Sequence, residues 1–151
     1  MIRIFTILIA MLFVSTSHAQ SLNECDWLAN AANIWEPWEE NTKTYANGAI
    51  RIARIGTDDP ACCTAHLLIL SPGEPGPPGW VRSCNILSSP SGAGFNDVFL
   101  EDITASYDPA KGLLLSVPIG FYDPENAYTD PDLFHTIDVR INQATGTVAV
   151  E

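Results

Sequence analysis

Positive charge is scarce in this sequence. Seven Lys and Arg stand against 18 Asp and Glu, for a formal charge of −11 over 151 residues. A phosphate backbone is met by Lys and Arg, so this balance argues against nucleic acid as a partner. Histidine is equally sparse, at three residues. No C-x-x-C pair is present, which argues against a zinc ribbon or a dithiol redox centre. No G-x-S-x-G elbow is present either, which removes the usual signature of an α/β hydrolase. The flexible stretch Ser89-Pro90-Ser91-Gly92-Ala93-Gly94 lacks the lysine and the helix of a phosphate loop. No apolar run approaches the roughly 20 residues that span a bilayer, and no internal repeat is visible. Disorder is excluded by a hydrophobic content of 46% with only 17% charged residues.

One apolar run does exist, at the start. Arg3 precedes residues 4–14, which are apolar except for Thr6, and Ser17 and Ala19 supply small residues at a cleavage site. These are the parts of a secretory signal, so the expectation is a signal peptide over 1–19 and a single globular domain over 20–151. Loss of Arg3 makes the mature chain one unit more negative. Asn23-Glu24 before Cys25 is not a lipoprotein cleavage site. The mature protein is expected to be periplasmic or secreted and not membrane-embedded.

Export brings the cysteines into an oxidising compartment. Cys25, Cys62, Cys63 and Cys84 make an even set, so two disulfides are expected. A bridge between the neighbours Cys62 and Cys63 closes a strained ring and is discounted on geometry. The remaining pairings tie Cys25 and Cys84 to the adjacent pair, in either order.

Residues 21–36 read as a helix. Ser21 and Glu24 match an S-x-x-E capping box, and Leu22, Cys25, Leu28, Ala29, Ala32 and Trp35 recur at helical spacing until Pro37. Beyond about residue 44 the pattern is β. Strands are expected over 44–55, 64–70, 80–87, 95–107, 113–121, 135–142 and 147–150. The run Leu67-Leu68-Ile69-Leu70 is apolar on both faces and suits a central strand. Asp108-Pro109-Ala110-Lys111-Gly112 and Gln143-Ala144-Thr145-Gly146 read as hairpin turns. With no βαβ alternation, the fold class is mostly β (α+β): an antiparallel curled sheet or small sandwich, disulfide-stapled, with one N-terminal helix packed on it.

Candidate chemistry is thin. His66 lies beside the apolar run and reads as a half-buried histidine, and His135 starts a strand. Either could serve a small histidine-dependent enzyme with nearby carboxylates, although the sequence assigns no catalytic residue. The acidic loop 123–132 could offer oxygen ligands to calcium. It lacks an EF-hand pattern, and its Asp-Pro pairs are turn initiators, so no metal or cofactor is assigned. Arg51 and Arg54 lie three apart on one strand, hence on opposite faces; one should meet solvent and the other a carboxylate. Trp35, Trp38 and Trp80 are the candidate binding surface, since indoles beside carboxylates can stack on a ligand or anchor an interface.

The segments Cys25-Asp26-Trp27, Trp35-Glu36-Pro37-Trp38-Glu39, Tyr45-Ala46-Asn47-Gly48-Ala49-Ile50-Arg51, His66-Leu67-Leu68-Ile69-Leu70-Ser71-Pro72 and Tyr107-Asp108-Pro109 resemble small exported proteins of alphaproteobacteria. That resemblance implies a periplasm and carries over no catalytic or binding residues. A stapled, acidic, histidine-poor β domain suits binding better than turnover. The expected function is therefore a non-catalytic binding or interaction module for a protein or small ligand, with a small enzyme or a structural envelope component as alternatives.

Overall fold

The computed structural model describes residues 21–57, 62–75, 81–122, 125 and 134–151. The expected signal peptide, Trp80 and all of the acidic loop except Glu125 lie outside them. The described strands are β1 (Ser21–Glu24), β2 (Thr42–Tyr45), β3 (Ile50–Ile55), β4 (His66–Pro72), β5 (Arg82–Ser88), β6 (Asp97–Val98), β7 (Thr104–Asp108), β8 (Gly112–Gly120), β9 (Phe134–Asn142) and β10 (Thr147–Val150). They form two five-stranded sheets with every pairing antiparallel. The first sheet runs β1-β5-β4-β3-β2. In the second, β10-β9-β8 is completed by β6 and β7, which pair with opposite ends of the same edge of β8.

Alternation along the strands builds the core. Ile50 and Ile52 of β3, Leu67 and Ile69 of β4 and Leu87 of β5 face one way. They join Leu113, Leu115, Val117 and Ile119 of β8 and Ile137, Val139 and Ile141 of β9 in one buried cluster. The inner faces of the two sheets thus share a single core, as in a small sandwich. The outer face of the first sheet is apolar as well. Ala53, Ile55, Leu68 and Ile86 are buried there beneath Cys25, Leu28, Ala29 and Ile34. β4 is the central strand, apolar on both faces, as its sequence suggests.

Both expected hairpins form. Asp108 Oδ1 accepts from the backbone N–H groups of Ala110 and Lys111, and Asn142 Oδ1 from those of Ala144 and Thr145. Gly146 closes the second turn at φ +76°, and a Cβ there would collide with the backbone of Gly73 and Glu74.

The N-terminal helix is not formed; among the described residues there is no α-helix. Ser21–Glu24 instead pairs with β5, from Ser21 opposite Ser88 to Glu24 opposite Asn85. Ser21 Oγ donates to the Ser89 carbonyl rather than capping a helix. Downstream, local side chains take the backbone groups a helix would need. Asp26 Oδ1 accepts from Leu28 N–H, Asn30 Oδ1 from Ala32 N–H, and Asn33 Nδ2 donates to the Leu28 carbonyl. Only Ala31–Asn33 makes a single 3-10 turn. A short helix is marginal by itself, and the open edge of β5 offers a full ladder of hydrogen bonds.

The disulfide pairing is also corrected. Cys25 bonds to Cys84, and Cys62 to Cys63. Strand register explains the first bridge. One step beyond Glu24 opposite Asn85, Cys25 faces Cys84, donates its N–H to the Cys84 carbonyl at 3.1 Å, and has its Cα 5.3 Å away. With those two satisfied, Cys62 and Cys63 have only each other, and Cys63 adopts φ +75°.

Candidate functional site

Residues 34–41 link the N-terminal segment to β2, and they shape the surface on both sides of the first sheet. Ile34 forms a bridge with Ile55, and Trp35 N–H donates to the Arg54 carbonyl, so this stretch is laid along the end of β3. Pro37 then opens a turn. Its carbonyl accepts from both the backbone N–H and the side-chain Nδ2 of the buried Asn41. Thr42 Oγ1 donates to the Trp38 carbonyl at 2.8 Å. The turn sends the two indoles apart: Trp35 goes inward against the shared core, and Trp38 stays outside, 52% exposed. They line different cavities. The expected single tryptophan surface is therefore divided between two sites, and Trp80 lies outside the described residues.

The inner cavity, of about 440 Å³, is walled by acids: Glu36, Glu40, Asp97, Glu101 and Asp102. Arg54 forms its base. The guanidinium carbon sits 3.6 Å from the Trp35 ring centroid, and Nη2 meets Asp97 Oδ1 at 2.8 Å. Burial lowers the Arg54 pKa and the charge of Asp97 raises it; the group stays charged throughout the accessible pH range. Arg51 on the opposite face is exposed, which bears out the expected division of labour between the two arginines. Arg54 ties β3 to β6, so its first role is to join the sheets.

The outer cavity, of about 520 Å³, is a groove in the part of the outer sheet face that the N-terminal segment leaves uncovered. Trp38 and Ile34 form one bank, and Ala53, Leu68 and Leu70 lie along its floor. Thr42, Thr44 and Arg51 share that face, because Thr42 stands opposite Ala53, and Thr44 and Leu70 stand opposite Arg51. None of the lining residues is acidic, whereas Lys43 and Arg51 are both basic. Arg51 Nε donates to the Gly48 carbonyl at 3.2 Å, and Lys43 Nζ to the Glu101 carbonyl at 2.8 Å. A hollow of this size with an apolar floor and a few polar groups has the ordinary make-up of a small-ligand site.

The histidines stand elsewhere. His66 is 5% exposed, on the outer face beneath the N-terminal segment, with Nδ1 2.7 Å from the buried Ser88 Oγ. Burial lowers its pKa, and the charge of Asp26 opposes that shift. His135 is exposed and meets Phe121 edge-on at 5.3 Å. Among the described residues, no three His, Cys, Asp or Glu side chains gather as metal ligands.

The tryptophan at the groove was legible in the sequence. Its floor was not, because Leu70 looks like an interior residue until the covering segment is seen to leave it partly open. No protein-family model, curated protein or solved structure matches this chain.

Proposed function

We infer that this chain is an exported, non-catalytic binding module that works through the groove beneath Trp38. The observation that carries the reading is the pairing of a half-exposed indole with an apolar floor, partly open at Leu70, on the outer face of the first sheet. A tryptophan left 52% exposed in a protein of this size costs hydrophobic burial, and a partner that covers it recovers that burial. The periplasmic or secreted setting is supported by two disulfides. It also agrees with the amino-terminal sequence pattern and with the resemblance to small exported alphaproteobacterial proteins. An enzymatic reading draws on the His66–Ser88 contact, but both groups are buried in the packing, where a substrate has no approach.

The test is purification of the tagged protein from its native envelope, beside a Trp38→Ala variant, with native mass spectrometry of both. A bound species carried by the wild type and lost from the folded variant supports the reading. Identical spectra for the two proteins overturn it.

A further inference from the structure

The make-up of the groove indicates what it takes. Resting on the reading above, we propose that it binds a small apolar monocarboxylate, with its hydrocarbon tail along Leu68 and Leu70 beneath Trp38 and its carboxylate on Arg51.

Three observations converge on this class. The chain carries 18 acidic side chains against seven basic ones, yet the groove is lined by no acid, and Arg51 is the base on its face, since Lys43 alternates to the inner face and reaches Glu101. Five acids gather instead on the other side of the same 34–41 segment, around Arg54. The two hollows therefore differ in sign, and the outer one is the place where an anion meets no lining carboxylate.

Arg51 is the cation on the groove's own face that pairs with no described carboxylate. Among the described residues the ion pairs are Arg54 with Asp97 and Arg140 with Glu151, so no carboxylate neutralises Arg51. Its Nε is held by the Gly48 carbonyl, which leaves the Nη1 and Nη2 edge for a bidentate carboxylate. Lys43, by contrast, has its ammonium drawn to the Glu101 carbonyl. The exposed Thr44 stands opposite Arg51 on the same face and brings a hydroxyl to that end of the groove.

The apolar half follows from the floor. Ala53, Leu68 and Leu70 offer hydrocarbon only, and the indole of Trp38 gives a flat wall against which a tail packs. A polar tail would lose its hydration here without gaining a partner. A hollow of about 520 Å³ suits a small molecule.

The experiment compares octanoate, octanamide and octylammonium, which share a tail and differ in head group. Binding is followed by titration while the indole N–H resonance of Trp38 is monitored, with that resonance assigned from Trp38→Phe. The expected order is octanoate first, roughly fivefold tighter than octanamide, as suits a solvent-facing charge-assisted contact. Octylammonium comes last. Arg51→Gln, an exposed substitution that leaves the fold intact, should bring octanoate down to octanamide, and Trp38→Ala should weaken both. Equal binding of octanoate and octanamide, both weakened by Trp38→Ala, overturns the carboxylate assignment and leaves the groove as a binding site. An octanoate preference that persists in Arg51→Gln also overturns it. Failure of all three ligands to move the Trp38 resonance overturns the ligand class altogether, while the native-envelope comparison judges the binding reading separately.

Discussion

His66 and Ser88 face each other across β4 and β5, with 2.7 Å between Nδ1 and Oγ, and both are buried. The pair lies under the N-terminal segment, on the side of the sheet that carries Ala53, Ile55, Leu68 and Ile86. A buried neutral histidine satisfied by a hydroxyl is inexpensive, whereas a buried imidazolium is not.

That relationship sets a pH dependence. Burial depresses the folded-state pKa of His66 below its ordinary 6.5, with Asp26 only partly opposing the shift. Below pH 6.5 the unfolded chain therefore binds a proton that the folded chain resists. Stability is full above that pH and falls as the pH drops through it towards the folded pKa. Urea midpoints measured between about pH 5 and pH 7 should decline on the acid side. His66→Gln should remove that portion of the slope. An unchanged slope in the variant would show that other groups cause it.

The two disulfides should contribute very differently. Cys25 and Cys84 are separated by 59 positions, and the loop-entropy model gives a bridge of that span about 4 kcal/mol. Replacing both with alanine should lower the unfolding free energy by about that amount and loosen β1 from β5. The bridge between the neighbours Cys62 and Cys63 closes no loop of consequence, so its double alanine variant should unfold within about 1 kcal/mol of the wild type. Non-reducing peptide mapping checks the connectivity directly, since a peptide holding Cys25 should remain joined to one holding Cys84.

The link between Arg54 and Asp97 should show the asymmetry of partly buried ion pairs. Asp97→Asn leaves the guanidinium without its carboxylate and should cost about 1–2 kcal/mol, less than for a fully buried pair because solvent reaches both groups. Arg54→Leu combined with Asp97→Leu should recover part of that loss. Denaturant unfolding of the three proteins gives the comparison. A double variant less stable than Asp97→Asn would show that the pair does more than tie β3 to β6.

Much of the β architecture was legible from residue order because its causes are local. Asp108 and Asn142 cap their turns through contacts two and three residues away, so the hairpins β7-β8 and β9-β10 follow from turn chemistry. The four apolar residues 67–70 identified a strand covered on both sides, and β4 is that strand. Arg51 and Arg54 fell on opposite faces because strand side chains alternate.

Residues 21–36 show where local signals end. Their apolar spacing fits a helix, yet Leu22 packs into the core from a strand and Leu28 covers the outer face from a turn. The open edge of β5, more than fifty residues away in sequence, decides between those states. The same edge decides the cysteines, since only the pairing register brings Cys25 opposite Cys84 and leaves Cys62 to Cys63.

Composition and order by themselves determined the acidic balance, the antiparallel β class, the turns and the presence of tryptophans near residue 37. Tertiary structure alone decided that Trp35 and Trp38 part to opposite sides of a sheet, and that five acids line one cavity and Arg51 the other. The physical reason is range. Turn caps and strand alternation act within a few residues, whereas a groove exists only where two distant segments fail to cover the same face.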